Sequence, residues 1–444
     1  MKRRIPSFRP LSIPQKNHSD GFGNTGGFGN HGLGIPDGGS QDSIDECLRA
    51  FANATNWGVD LNPAKTTGQQ PFFARLVDNL ITPGPQVAPD LHDSDAHGDQ
   101  LPSVSMHRAE ALLEQIGEYD QGFWAMCRDQ GWTAMTLPEA VGGLDLGLVE
   151  LGLVAQAAGR ATSGAPFLTS CFGAARAIAA HGSAALQSRW LPRLSSGDAV
   201  GAIAFGEGQS PLPAKTTVGF KAGTLHGTKP AVSAGLHADV AIVLANESGV
   251  PVLVAAALDT VARTPLASFD NSRCIADLVF AGTPAELIAH GPAALAAAID
   301  ILAAQAVVTA HEQMGAAEAL MERARDYANT RRAFGQPIGA FQSVKHRIAE
   351  LYVLVELARA NAIHAASRDG AADFIKAAAA ARLSATEAYD TAARDCVQVH
   401  GGIGVTWESG LHIHMRRART LAIEQGNSLF WEDLLVDELM KDAA

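Results

Sequence analysis

The sequence predicts a mostly α chain with a middle β-domain, in the order helices, sheet, helices. Three observations predict it. Apolar residues recur at three- and four-residue spacing up to about residue 198. Short Val- and Ile-rich runs bounded by Gly and Pro then follow at roughly ten-residue spacing. Beyond about residue 285 the helical period returns in long Ala-rich stretches. A chain of 444 residues, 47% of them hydrophobic, has material for several cores.

Residues 1–40 are rich in Gly, Asn, Ser and Pro and poor in core formers, which predicts a flexible arm. Gly21-Phe-Gly-Asn-Thr-Gly26 and Gly27-Phe-Gly-Asn-His-Gly32 match the dinucleotide pattern in form. No strand precedes them and no helix follows, so they read as a low-complexity repeat. Residues 41–198 form the first helical domain, with helices predicted over 43–53, 106–130 and 148–159 and a Gly/Pro loop over 135–147. Residues 199–285 form the β-domain, with strands predicted at 200–205, 223–225, 231–233, 240–245, 252–258 and 276–280. Residues 286–444 form a four-helix bundle. One of its apolar stripes runs through Ile301, Ala304, Val308, Met314, Ala317, Met321 and Ala324, a second through Ile348, Leu351, Val355 and Ala358. Its third helix starts near Ala371 and stops at Gly401-Gly402.

A net charge of −12 argues against a nucleic-acid surface. Cys47, Cys127, Cys171, Cys274 and Cys396 are scattered without metal-type spacing, as expected of a reducing cytoplasm. No uninterrupted apolar run reaches membrane-spanning length, and polar Pro-rich sequence after Met1-Lys-Arg-Arg4 is not a secretory h-region. His311, His346, His400, His412 and His414 form no metal-ligand set.

Two glycine-punctuated corners end long helices, Arg331-Arg-Ala-Phe-Gly-Gln-Pro-Ile-Gly-Ala-Phe-Gln342 and Gln398-Val-His-Gly-Gly-Ile-Gly-Val-Thr-Trp-Glu408. Arg331 alone reads as a basic last turn complementing the helix dipole. With the second corner it reads better as a clamp for a pyrophosphate, because guanidinium suits paired oxygens and glycine lets backbone N–H groups approach them.

From Met106 to Asp437 the chain resembles the acyl-CoA dehydrogenase family of flavoproteins, most specifically at these corners. The resemblance implies an N-terminal helical domain, a β-barrel-like domain and a C-terminal four-helix bundle. It implies FAD shared across subunits of a homo- or hetero-dimer or tetramer, with contacts from Arg331, Phe334, Gln342, Gln398, Val399, His400, Gly401 and Gly402. Val200-Gly-Ala-Ile-Ala-Phe-Gly-Glu207 and Leu225–Asp239 resemble the two strands facing the flavin, with Ser233 where the family has Thr or Ser. The family's Thr-Glu-Pro and Gly-Ser-Asp loop is replaced by Gly206-Glu-Gly-Gln-Ser-Pro-Leu-Pro213.

The implied reaction is α,β-dehydrogenation of an acyl-CoA thioester, with electrons passed to an electron-transfer flavoprotein. It needs a carboxylate to take the α-proton. The usual base position holds Gln425, and the alternative one, on the first bundle helix, holds Gln305. An amide cannot accept that proton. Glu424, Glu312 and Glu207 are the remaining candidates, Glu424 first; a surface position is the ordinary reading of Glu312 and a structural hydrogen bond that of Glu207. The two amides also motivate an alternative, a non-catalytic or half-site partner of a catalytic homologue.

Overall fold

The computed structural model describes residues 110–162 and 167–442. The expected arm over 1–40 and helix over 43–53 lie outside these residues. Among the described residues, a helical stretch at 110–113 is followed by α1 (Gln121–Asp129), α2 (Leu148–Arg160), α3 (Phe167–His181) and α4 (Ala184–Ser195). Asp120 caps α1 by accepting from the Phe123 N–H at 2.9 Å, and Ser183 caps α4 by accepting from the Leu186 N–H at 3.1 Å. The 135–147 stretch is the expected non-helical connection apart from a single 3-10 turn.

The β-domain holds β1 (Gly201–Ala204), β2 (Gly219–Lys221), β3 (Thr224–Val232), β4 (Val240–Glu247), β5 (Val250–Ala257), β6 (Ala262–Pro265) and β7 (Ala276–His290). β4 and β5 form a hairpin through Ser248 and Gly249, both at positive φ, the geometry of a type I′ turn. Pairing runs β4–β2–β3–β7–β5 and returns to β4, so this ring closes. β1 lies parallel to β4, and β6 lies against β7.

Several expectations change here. The pieces expected at 223–225 and 231–233 are one strand, β3, whose middle is masked in the sequence by polar His226, Thr228 and Lys229. β2 is too short for a period, and β6 is a largely exposed edge ending in Pro265. β7 runs to His290, past the boundary expected at 285.

The bundle contains α5 (Pro292–Thr330), α6 (Gln342–Ser367), α7 (Phe374–His400), α8 (Leu411–Leu421) and α9 (Ser428–Asp442). Pro292 opens α5 at the first helical position, where a missing N–H costs nothing. α5 is long and apolar enough to cross a membrane, but most of that apolar stretch is buried, against α2, α3, α6 and α7. A helix apolar on all sides is the centre of a protein. Its contact with α2 is very close: a Cβ on Gly159 would lie 1.9 Å from the Glu312 carbonyl oxygen, and one on Gly315 would lie 2.0 Å from that of Gln156. Between α5 and α6, β8 (Arg332–Ala333) and β9 (Gln336–Pro337) make a minimal hairpin.

Candidate active site

A cleft of about 1050 Å³ opens where the β-domain meets the bundle. Its walls come from the end of β1 with Gly206–Pro211, the end of β3 with Ser233, the 266–269 loop, Leu302 and Gln305 on α5, and Thr420 with the 423–427 corner after α8. The site is thus assembled from segments spread over most of the described chain.

β3 reaches it through a register shift between Lys229 and Val232, with Ala231 and Ala234 both in the left-handed region. Ser233 lies between them, and its hydroxyl donates to Glu424 Oε1 at 2.9 Å. Arg273 donates to the same carboxylate from Nε at 3.0 Å and from Nη2 at 2.7 Å. Among the described residues lining the cleft, Glu424 alone carries a carboxylate. Three donors occupy it, leaving one of about four lone-pair directions open.

This pair belongs to a buried ionic cluster. Arg273 also faces Glu312 at 3.7 Å, and Arg417 faces Glu312 at 3.5 Å while binding Asp270 through Nε. Arg382 donates to the carbonyl of Leu421 and, at 2.8 Å, to that of Glu424, fixing the corner that ends α8. Burial alone lowers a guanidinium, and Arg382 falls to about 10; Arg273 is instead raised, because the charges of Glu424 and Glu312 outweigh its burial. Burial pushes the Asp270 carboxyl up, but Arg417, the Ser272 hydroxyl and Arg273 outweigh it and hold the group below its ordinary value. Three guanidiniums thus stand with three carboxylates, which is how buried charge is tolerated.

Glu312 is therefore not a surface charge: it is buried, because α5 is enclosed on every side. Glu207 accepts from Lys229 Nζ at 2.6 Å and from the Val218 N–H at 3.3 Å, tying the loop after β1 to β3. Burial lowers Lys229 to about 8; Glu207 is lowered too, its burial being outweighed by the Lys229 ammonium. Neither Glu207 nor Glu312 lines the cleft.

Both amides seen in the sequence do line it. Gln425, at φ +55°, accepts from the Thr309 hydroxyl at 3.1 Å. Gln305 donates from Nε2 to the Thr169 carbonyl at 3.2 Å. Gln305 Oε1 and Thr420 Oγ1 are buried without a protein partner among the described residues.

The two glycine corners lie together at the other end of the bundle. α5 and α7 run parallel, and their last turns are joined by Tyr327 stacked on His400, ring centroids 4.1 Å apart. His400 also donates from Nδ1 to the Cys396 carbonyl at 2.8 Å, so its buried ring fastens the two helix ends. Arg331 and Gln342 are exposed, as are Gln398, Gly401 and Gly402, while Val399 is buried below them. Gly401 takes φ +64° with open space where a Cβ would stand, so its backbone is accessible. Phe334, at φ +51° in the β8–β9 turn, is 96% exposed.

Gln305 and Arg331 bracket most of α5, roughly 39 Å at about 1.5 Å per residue. One chain therefore does not bring its corners to its own cleft.

Comparison with known proteins decides the family. Residues 104–198 match the model of the acyl-CoA dehydrogenase N-terminal domain, and residues 295–435 match that of the C-terminal domain. The chain is 32% identical over 305 residues to acyl-CoA dehydrogenase IpdE2 of Mycobacterium tuberculosis, covering 68% of this chain and 81% of that protein. The chain belongs to the acyl-CoA dehydrogenase family. Acyl-CoA dehydrogenases are oxidoreductases, and this member keeps the family's mostly helical architecture with its middle β-domain. The ChsE4–ChsE5 complex of Mycobacterium tuberculosis is similar in structure, with a TM-score of 0.67 at 26% identity, covering 76% of this chain and 95% of that one. Butyryl-CoA dehydrogenase from Megasphaera elsdenii shares the fold, with a TM-score of 0.67 at 21% identity over 78% of this chain and all of that one.

Sequence reasoning missed Arg273, Arg417, Arg382, Asp270 and Lys229. A run of basic residues on α8 was visible, but a run does not tell which arginine turns inward. Arg273 and Asp270 sit in an irregular loop with no period to read.

Proposed function

We propose that the chain catalyses FAD-dependent α,β-dehydrogenation of an acyl-CoA thioester and passes electrons to an electron-transfer flavoprotein. The cleft carries this reading: it is walled by the segments that resemble the family's flavin-facing strands and by both base positions. FAD, when bound, supplies the acceptor for the hydride leaving the β-carbon as the Cα=Cβ bond forms.

Glu424 is the group proposed to take the α-proton, since no other described residue lining the cleft offers a carboxylate. Arg273 and Ser233 orient it. Backbone and amide groups at Gly206, Gln425 and Gln305 enclose the reacting atoms and limit water.

The distance along α5 supports a shared site, in which Arg331, Phe334, Gln342 and Gln398–Gly402 of one copy bind the dinucleotide whose flavin end lies in the cleft of another. Exposed Phe334, Ile403, Val405 and Trp407 at that corner suit coverage by a second chain. A homodimer or a tetramer meets this need, and so does pairing with a homologue. Membership of the family favours a catalytic chain over a half-site subunit. The cytoplasm is the proposed compartment, consistent with buried free cysteines at 127, 171, 274 and 396.

The test is the absorption spectrum of the FAD-reconstituted chain during addition of acyl-CoA thioesters. A yellow protein that bleaches is expected. Glu424→Gln is expected to retain FAD and lose at least about a hundredfold in bleaching rate. A protein that stays colourless overturns the reading, and unchanged bleaching in the variant removes Glu424 from the role.

A further inference from the structure

Residues 205–218 join β1 to β2 without regular secondary structure, and Phe205, Gly206 and Gly208–Pro211 wall the cleft. Connections of this length inside a compact domain are uncommon and usually carry function. The outer part of the loop has few ties of its own. Among the described residues, the hydrogen bonds made by 208–216 are those between Ser210 and Leu212. The base of the loop is held instead. Lys229, a β3 residue with no exposed surface, donates from Nζ to the Phe205 carbonyl at 2.8 Å and to Glu207 Oε1 at 2.6 Å. One ammonium thus grips the residues on both sides of Gly206. Glu207 also accepts from the N–H groups of Thr217 and Val218, which draws the far end of the loop to the same point.

A loop closed at its base through one buried ion pair has a tied and an untied form, and only the tied form presents Gly206–Pro211 as a wall. Losing charge-assisted hydrogen bonds of this kind shifts such an equilibrium on the order of tenfold to a hundredfold. A ligand that needs the tied form then binds more weakly in proportion to the tied fraction, while its chemistry once bound is unchanged. Glu424 is held separately, by Arg273 and Ser233. We propose that Lys229 is a positioning residue for the acyl-CoA thioester: through Phe205 and Glu207 it keeps the Gly206–Pro211 wall in the form that receives this substrate. This rests on the acyl-CoA reading given above. FAD is the other ligand that this wall can meet, and the test separates the two.

The FAD-reconstituted full chain is mixed with butyryl-CoA, octanoyl-CoA or palmitoyl-CoA, and flavin bleaching is followed over a range of thioester concentrations. Lys229→Met removes the anchor and leaves the Glu207 carboxylate without its ammonium, so its urea midpoint is expected to fall. Lys229→Met combined with Glu207→Gln removes both charges, and its midpoint is expected to recover. In both variants the thioester concentration for half-maximal bleaching rate is expected to rise at least about tenfold, with the maximal rate within about threefold of the parent. Hydrogen–deuterium exchange of the 205–213 peptide in the same chains is expected to quicken by about tenfold or more. A purely structural pair gives the opposite split, a maximal rate that falls with stability and an unchanged half-saturation, and that result overturns the proposal. Half-saturation that returns to the parent value in the double variant overturns it, as does parent-like exchange. A tenfold loss of FAD affinity, read by fluorescence titration, with unchanged half-saturation assigns the wall to the cofactor and also overturns it. In all these cases the dehydrogenase reading stands, whereas a parent chain that bleaches with no thioester ends both.

Discussion

Arg273 touches two carboxylates that come from different helices and loops, Glu424 through two nitrogens and Glu312 at 3.7 Å. Removing it leaves two buried negative charges with less compensation. Arg273→Met is therefore expected to cost about 3–5 kcal/mol, read as a lower urea midpoint; a shift under about 1 kcal/mol would show that the cluster does not depend on it. Four non-glycine residues in the left-handed region, Ala231, Ala234, Cys274 and Gln425, surround this cluster. Such conformations cost about 1–3 kcal/mol each and persist where neighbours over-determine them, as at ligand sites. The sequence exposed Ser233, Gln425 and Glu424 through motif resemblance. It could not show that Ser233 donates to Glu424, because 191 residues separate them and no local period links them.

At the scale of elements, the long helices were legible because α5, α6 and α7 each bury a sustained face. β2 and β6 were not, because short or exposed strands carry no alternation. The α2–α5 contact was likewise invisible, since a glycine in a helix looks like a weakness until its neighbour is known. Gly159→Ala would place a methyl 1.9 Å from the Glu312 carbonyl oxygen, so the helices must part. A loss of about 1–3 kcal/mol is expected by chemical denaturation, against a helix-propensity gain of under about 1 kcal/mol. A variant as stable as its parent would contradict the close approach. Because Glu312 is the residue displaced, the effect should reach the ionic cluster as well.

Over the whole molecule, buried histidines make stability depend on pH, His311 and His414 most strongly among the described residues. Burial holds His311 at about 4 and His414 at about 3, with Arg359 adding to the first and Arg323 and Arg417 to the second. His311 donates from Nδ1 to the Val307 carbonyl at 2.9 Å, and His414 shares a hydrogen bond of 3.1 Å with the Tyr389 hydroxyl. Both values lie below the ordinary 6.5, so the unfolded chain binds more protons as pH falls. Stability is thus full above about pH 6.5 and declines toward pH 4, by about 1.4 kcal/mol per pH unit for each histidine. Urea titrations between pH 6.5 and about 5, above most of the range where carboxylates such as Asp270 protonate, should show this slope, and His414→Asn should reduce it. A flat profile over that window would mean that neither ring is held neutral.

By itself the sequence determined the order of helical, β and helical regions and the two glycine corners, since period and local turn chemistry are written in neighbouring residues. Tertiary structure decided that the corners meet through Tyr327 and His400 and that Glu424 is bound by Arg273. These facts depend on which side chains meet across a closed barrel and a central helix. Such meetings follow from packing in three dimensions, and no local pattern along the chain encodes them.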